Sequence, residues 1–205
     1  MRARQNPFRV ERIQAVPYRF QDGICWPDLL ARLEALQFRA AIVGPEGSGK
    51  TTLLEELSRK LGGLGFKVIL CSAKSGHAAE VVPRRLQGSE LLLLDSAECF
   101  GAWEWLRLKW ASRRAAGLIV TAHRTGLLPT LIQCRTTPEL FRQIVGNLVG
   151  HEGQLPSGML DAIYRKHKGN VRNALRQLYD GWSAHSEVSG AVKELDPAVV
   201  QMQSC

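Results

Sequence analysis

Hydrophobic positions along the first two thirds of the chain follow two alternating patterns. Short, continuous apolar runs lie at residues 39–43, 66–71, 91–94, 117–121 and 131–134. Apolar residues recur at helical spacing at residues 27–37, 51–61, 78–86 and 103–115. Short runs without a polar face are typical of strands that are buried on both sides. Because strands that alternate with helices indicate crossover connections, this region predicts an α/β fold with a parallel sheet flanked by helices.

After residue 134 the pattern changes to helices alone. Thr137, Pro138 and Glu139 form a strong helix start, and this helix is expected to reach Val149. A second predicted helix covers residues 157–169, and Asn170 is placed to cap a third that runs to about residue 179. The predicted organisation is a basic N-terminal extension at 1–25, an α/β core at 26–136, a small helical unit at 137–182 and a C-terminal tail at 183–205.

A glycine-rich segment follows the first predicted strand and fulfils every fixed position of the pattern GxxxxGK[ST]. Glycines permit backbone angles and close approaches that a side chain would block. The N–H groups of such a loop surround phosphate oxygens, and the following helix adds its positive N-terminal end. Lys50 can reach the outer phosphates, and Thr51 can bind magnesium. The predicted nucleotide-binding residues are Gly44, Pro45, Glu46, Gly47, Ser48, Gly49, Lys50, Thr51 and Thr52.

An acidic residue ends the third predicted strand, where the apolar run 91–94 is followed directly by Asp95. This carboxylate lies 45 residues after Lys50, with one predicted strand between them. A carboxylate that leaves the core at a strand tip can hold Mg²⁺ through water. We therefore predict that Thr51 and Asp95 share a magnesium ion; the alternative is that Asp95 is a simple turn residue.

The two segments resemble the Walker A and Walker B motifs of P-loop NTPases, and together with the helical unit they resemble AAA+ ATPases. The resemblance covers about residues 27–182 and implies a core that binds MgATP beneath a helical lid. In that family a glutamate directly after the Walker B aspartate polarises the attacking water, whereas this chain has Ser96 there. Glu98 is the nearest acidic residue and becomes the candidate base; the alternative is a solvated residue at a helix start.

Two further positions extend the resemblance. Thr121, at the end of the fourth predicted strand, matches the sensor 1 position, with His123 as a second candidate nearby. Arg172 matches the sensor 2 arginine that in AAA+ lids reaches back to the γ-phosphate; the alternative is a solvated arginine. Only Arg124 is basic where AAA+ rings carry an arginine finger, so ring formation stays open. The predicted catalytic residues are Lys50, Glu98, Thr121 and Arg172, with Asp95 and Arg172 also contacting the nucleotide.

The chain is basic, with 27 lysines and arginines against 19 acidic residues and a net charge of +8. Such a surface concentrates polyanions, so we expect DNA or a DNA-bound protein as a partner. In the helix at 103–115, spacing predicts that Trp103, Leu106 and Trp110 pack against the sheet. An outward-facing Trp105 would then lie among basic residues and could stack bases. The favoured alternative is a partly buried Trp105 with a solvated basic rim, because aromatic residues at helical spacing usually belong to a core. A second basic region contains Arg2, Arg4, Arg9 and Arg12.

Composition excludes several classes of protein. The five cysteines are scattered and include no CxxC pair, which argues against a disulfide framework or a zinc site and fits a reducing cytosol. No apolar run approaches the roughly 20 residues that span a bilayer. The N-terminus is charged without an apolar stretch behind it, so we expect no secretory signal and a cytoplasmic protein.

These observations favour a magnesium-dependent ATPase whose lid motion switches a partner interaction. A small-molecule or nucleoside kinase shares the loop and a lid, but it would turn over ATP rapidly only with an acceptor. A nucleotide-dependent switch that does not hydrolyse ATP is favoured by Ser96. A GTPase ranks last, because the chain lacks the guanine-recognition pattern N/T-K-x-D.

Overall fold

A computed structural model describes residues 6–75, 86–150 and 155–193, and for residues 183–193 it describes the backbone only. The helix predicted at residues 78–86 falls outside these ranges except for Leu86. The described residues form two compact units. One runs from Pro17 to Thr136, and the other combines the residues before Pro17 with those from Thr137 onward. Within the described ranges, no helix combines the length and the apolar character that crossing a bilayer requires.

The first unit contains a sheet of five parallel strands. They are β1 (Arg39–Val43), β2 (Lys67–Ser72), β3 (Glu90–Asp95), β4 (Gly117–Ala122) and β5 (Thr130–Gln133). Their order across the sheet is β2-β3-β4-β1-β5, and every neighbouring pair is parallel. The helices, counted through both units, are α1 (Val10–Gln14), α2 (Trp26–Ala35), α3 (Lys50–Gly63), α4 (Ala102–Ala111), α5 (Pro138–Val149), α6 (Ser157–Lys166) and α7 (Val171–Lys193). The predicted α/β class is confirmed.

Two apolar cores lie on opposite faces of this sheet, because successive side chains of a strand point to opposite sides. Leu91 and Leu93 of β3 belong to the core that contains the leucines of α2 and α3. Leu92 and Leu94 belong to the second core, which includes Leu108 of α4. Every residue of β3 is buried, which explains why its sequence is an unbroken apolar run.

Gly117 begins β4 at a point where no side chain fits. A Cβ atom there would lie 2.4 Å from the carbonyl oxygen of Phe38 and 2.6 Å from a methyl carbon of Leu91. We expect Gly117→Ala to destabilise the protein by about 1–3 kcal/mol and to lower its thermal unfolding midpoint by several degrees. Gly62→Ala in α3, where a Cβ meets nothing within 4 Å, is the control. Equal midpoints for the two variants would contradict this packing argument.

The second unit is a helical assembly with its own core. Thr137 caps α5 by accepting the N–H of Leu140 at 3.1 Å, and Asn170 caps α7 by accepting the N–H of Asn173 at 3.1 Å. Both caps match the sequence prediction. The core residues of this unit are Phe8, Phe141, Val145, Leu148, Leu160, Ile163, Val171, Ala174, Leu175 and Leu178. Arg142 of α5 forms ion pairs with Glu139 of the same helix and with Asp161 of α6, and the second pair connects the two helices.

The N-terminal residues are not the single separate extension that the sequence predicts. Phe8 is only 1% exposed and meets the indole of Trp182 edge to face at 5.7 Å between ring centroids, inside the helical unit. Tyr18 and Phe20, in contrast, pack against the core formed with α2 and α3. The aromatic residues of this segment have no regular period, so periodicity could not assign them to a core.

The last helix also differs from the prediction. The backbone of α7 stays helical to Lys193, through the first part of the predicted tail at 183–205. The apolar period that marks the buried side of α7 ends at Trp182, so the sequence predicts a helix only to about residue 179 and a tail from residue 183. A helix needs only its backbone hydrogen bonds to continue, and the next proline comes later, at residue 197.

The orientation predicted for α4 is wrong. Trp103, Leu106 and Trp110, expected in the core, are 74%, 57% and 65% exposed. Leu108 is buried, and Trp105 is partly buried against the same core, as the favoured alternative for that residue predicts. The helix carries apolar residues on both sides, so its period alone did not reveal which side faces the sheet.

Candidate nucleotide-binding site

The glycine-rich loop connects β1 to α3 and depends on its glycines for its shape. Gly47 and Gly49 have φ angles of +73° and +85°, which other residues rarely adopt. A Cβ atom on Gly44 would lie 2.5 Å from the carbonyl oxygen of Cys134 and 2.7 Å from Oγ of Ser48. Oγ of Ser48 in turn donates to the carbonyl of Pro45 at 2.8 Å. The hydrogen bond between Ser48 and Pro45 thus stabilises the loop in this conformation.

The remaining residues of the motif differ in their exposure to solvent. Pro45 and Glu46 are exposed at the loop, whereas Ser48 is buried. Thr51 and Thr52 are partly buried in the first turn of α3. Helix α3 begins directly after the loop, and the N–H groups of a helix N-terminus favour a bound anion.

Lys50 places a buried cation inside the loop. Its side chain carries three N–H donors on Nζ, and Nζ lies 2.7 Å from the carbonyl of Gly44 and 2.8 Å from that of Pro45. Burial lowers the pKa of Lys50, while the nearby carboxylates of Glu98 and Asp95 act in the opposite direction. A partly desolvated ammonium gains when an anion arrives, so this position favours a phosphate group.

Asp95, at the end of β3, contacts the first turn of α3 and the end of β4. Oγ1 of Thr51, in the first turn of α3, donates to its carboxylate at 3.1 Å. Oγ1 of Thr121, at the end of β4, donates at 2.6 Å and accepts the N–H of Ser96 at 2.7 Å. Thr121 is fully buried, so its single hydroxyl proton is committed to Asp95 here. The structure thus brings Thr51, Asp95 and Thr121 together.

Ser96 turns the chain sharply after β3. It is buried and adopts the left-handed conformation, with φ +62° and ψ +47°, before a 3₁₀ turn at Ala97–Cys99. Oε1 of Glu98 in this turn lies 3.1 Å from Nε2 of His123, which follows β4. Among the charges that raise the pKa of Lys50, that of Glu98 is the largest. Glu98 is therefore close enough to act on both His123 and Lys50.

Tyr18 is a site residue that the sequence did not indicate. Its phenol donates to Sγ of Cys134 at 3.3 Å, and its ring carbon Cε2 would lie 3.3 Å from a Cβ on Gly49. The backbone N–H of Tyr18 donates to the carboxylate of Glu56 in α3 at 2.6 Å. Burial raises the pKa of the Tyr18 phenol, which therefore stays protonated. Tyr18 lies in a segment without a strand or helix pattern, so no sequence signal pointed to it.

Arg172 belongs to the helical unit. It is the second residue of α7 and is exposed, directly after the cap formed by Asn170. Its position in the first turn agrees with the sequence, and its role toward a γ-phosphate stays a prediction.

The residues at the loop fit a magnesium ion that is completed by phosphate oxygens. Among the described residues, no group of three or more histidines, cysteines and acidic residues could hold a metal ion by itself. Mg²⁺ in phosphate sites keeps several waters and takes only one or two protein ligands. The Thr51 hydroxyl and the Asp95 carboxylate, in contact at 3.1 Å, supply that set.

No protein-family profile and no curated protein matches the chain. Among solved structures, AMPPCP-bound DnaA from Aquifex aeolicus superposes with a TM-score of 0.52 at 18% identity, over 74% of this chain and 58% of that one. The chain therefore shares the α/β fold of this structure, a parallel sheet flanked by helices. NtrX from Brucella abortus gives a TM-score of 0.49 at 13% identity, over 78% of this chain and 49% of that one. The NtrX complex with ATP gives 0.46 at 14%, over 82% and 51%. The chain thus spans about half to three fifths of the length of these three structures.

Proposed function

We propose that the chain binds ATP with Mg²⁺ at the loop 44–52 and hydrolyses it. The observation that carries this proposal is the convergence of Lys50, Thr51 and Asp95 at the carboxyl edge of the sheet. Ligands of open parallel sheets bind at this edge. DnaA, which shares the fold, holds the ATP analogue AMPPCP, and this supports an adenine nucleotide.

In this mechanism the chain binds and orients the triphosphate. The N–H groups of the loop and of the first turn of α3 surround the phosphates, and Lys50 exchanges its two carbonyl partners for phosphate oxygens. Thr51 and Asp95 would hold Mg²⁺, which neutralises negative charge on the phosphates when it is bound. Thr121 acts as a positioning residue, because its hydroxyl fixes the carboxylate of Asp95.

Glu98 is the group that we assign to the attacking water. Its carboxylate lies close enough to Lys50 to raise the lysine pKa, and its Oε1 lies 3.1 Å from Nε2 of His123. A carboxylate in this place can accept a proton from water as the phosphoryl group departs. Ser96 cannot take this role, because a serine hydroxyl is too weak a base to accept a proton from water.

The cycle would couple the nucleotide to a partner. Arg172 would contact the γ-phosphate, so that binding and hydrolysis change the position of the helical lid and switch a partner interaction. The net charge of +8 supports DNA or a DNA-bound protein as that partner.

A second candidate function is a nucleotide-dependent switch that binds ATP without hydrolysing it. The specific observation in its favour is that Glu98 is engaged by His123, while the position directly after Asp95 carries a serine. This function predicts tight ATP binding without phosphate release.

The magnesium dependence separates these functions. Wild-type protein should release phosphate from ATP in Mg²⁺ and far less from GTP, without an added acceptor. Asp95→Asn keeps an oxygen for both hydroxyl donors but loses the charge, so we expect the Mg²⁺ concentration for half-maximal turnover to rise about tenfold or more. Asp22→Asn, at an exposed turn residue, should leave it unchanged. ATP binding with no phosphate release at any Mg²⁺ concentration would identify the non-hydrolysing switch instead.

A further inference from the structure

The exposed side of α4 carries two indoles that nothing in the described structure covers. Trp103 and Trp110 are 74% and 65% exposed, and Leu106 lies between them with 57% exposure. The other side of the helix, with Trp105 and Leu108, packs on the sheet. Seven residues separate the two indoles, which corresponds to two turns or about 10.5 Å along the helix axis. Together the three side chains form a contiguous apolar stripe, and an exposed apolar patch with a polar rim is typical of an interaction site.

Positive charge borders this apolar stripe on both sides. At 100° per residue, Arg107 lies next to Trp103 on one side of the stripe, and Lys109 lies next to Leu106 on the other. Arg113 and Arg114 follow in an exposed 3₁₀ turn. None of these four side chains forms an ion pair with a described residue. The residues Trp103, Leu106, Arg107, Lys109 and Trp110 are called the α4 face below.

We propose that the α4 face binds single-stranded nucleic acid, with bases stacked on Trp103 and Trp110 and phosphates held by Arg107 and Lys109. Exposed aromatic rings that alternate with cations are the means by which proteins bind single strands without sequence preference. The inference rests on the proposed association with nucleic acid and assigns it a surface and a strand type.

Other occupants fit this surface less well. A symmetric contact between two copies would place Arg107 and Lys109 of both copies against each other, and these like charges would repel. A duplex keeps its bases stacked inside the helix, so it would leave the two indoles without a partner. A single strand, in contrast, offers unpaired bases to the two indoles and phosphates to the two cations at the same time.

The place of α4 in the chain connects this surface to the nucleotide site. The segment before α4 contains Asp95 and Glu98, and the strand after it, β4, contains Thr121, which is bonded to Asp95. A nucleic acid bound on α4 is therefore able to influence Asp95 in two ways. One is through the segment that precedes α4, and the other is through β4, which follows it. Linkage then requires that ATP and the nucleic acid change each other's affinity by the same factor.

The first test separates stacking from simple hydrophobic contact. Binding of fluorescein-labelled oligothymidylate of about 20 nucleotides is followed by anisotropy for wild type and for two double variants. Trp103→Leu with Trp110→Leu keeps the apolar stripe but removes the rings, and we expect at least about tenfold weaker binding. Trp103→Phe with Trp110→Phe keeps the rings and should stay within about threefold of wild type. Leu64→Ala, at another exposed apolar residue, is the control.

The second test addresses the charges. For single strands, each neutralised phosphate contributes about 0.7 to the slope of log affinity against log salt. Arg107→Ala should therefore reduce that slope by about 0.7. Arg59→Ala removes the same charge from an exposed position on α3 and should leave the slope unchanged.

The outcomes distinguish this inference from the proposals on which it rests. Equal affinity of the leucine and phenylalanine double variants for oligothymidylate would overturn stacking on the α4 face. If the protein binds a duplex and both double variants bind it with unchanged affinity, the association with nucleic acid is retained but its surface lies outside the α4 face. Binding to equimolar phosphatidylserine and phosphatidylcholine vesicles, in place of oligothymidylate, would assign the face to a lipid surface. Titration with mant-ATP measures the nucleotide site separately in each variant.

Discussion

Lys50→Ala should abolish nucleotide binding, with at least a roughly hundredfold rise in the Kd for mant-ATP. The ammonium of Lys50 is the buried cation of the loop, and it lies between the carbonyls of Gly44 and Pro45, where phosphate oxygens would replace them. Its removal takes away the one side-chain charge inside the loop. Charge-assisted hydrogen bonds in a desolvated place are the strong ones, which is why this change is expected to exceed any other in its effect on affinity.

Two controls keep this result interpretable. Lys50→Met retains the length of the side chain and separates loss of charge from loss of packing. Arg59→Ala removes a positive charge from the exposed side of the same helix and should bind mant-ATP like wild type. Unchanged affinity in Lys50→Ala, with an intact thermal transition, would remove the loop from the nucleotide site.

Glu98→Gln should retain ATP binding within about threefold and lose about a hundredfold or more in turnover. Glutamine has the size of glutamate and can still contact His123, but it cannot accept a proton from the attacking water. A loss confined to turnover would thus assign Glu98 to the chemical step. The readout is phosphate release under saturating MgATP, alongside the mant-ATP titration.

The matched control for this change is Glu55→Gln, at an exposed position of α3. Full turnover in Glu98→Gln would exclude the residue as the base. Absence of phosphate release already in the wild-type protein, together with tight binding, would favour the non-hydrolysing switch.

The phosphate loop and the sheet could be predicted because their sequence is dictated by the backbone. Gly44, Gly47 and Gly49 occupy positions that a Cβ would clash with or strain. β3 is buried on both faces, so only an unbroken apolar run suits it. In the loop and in β3, the local backbone and its surroundings allow few types of amino acid. The sequence pattern therefore identifies the structure.

Other features depend on contacts between distant residues and could not be predicted. Glu98, which contacts His123, follows a left-handed turn at Ser96. Serine has no particular preference for that conformation, so the sequence does not predict the turn. The orientation of α4 depends on whether Trp105 or Trp103 fits the sheet, which is a question of volume and not of period. Tyr18 reaches the loop from a segment without regular structure.

The division of the N-terminal residues has a practical consequence for dissecting the molecule. A fragment that starts at Thr137 lacks Phe8, whose ring fills part of the helical core, and Asn6, whose amide donates to the carbonyl of Tyr179 at 3.0 Å. Such a fragment would expose apolar surface that the intact chain covers. Trimming the first sixteen residues would therefore damage the unit that lies farthest away along the chain, and leave the nucleotide core with its own aromatic residues in place.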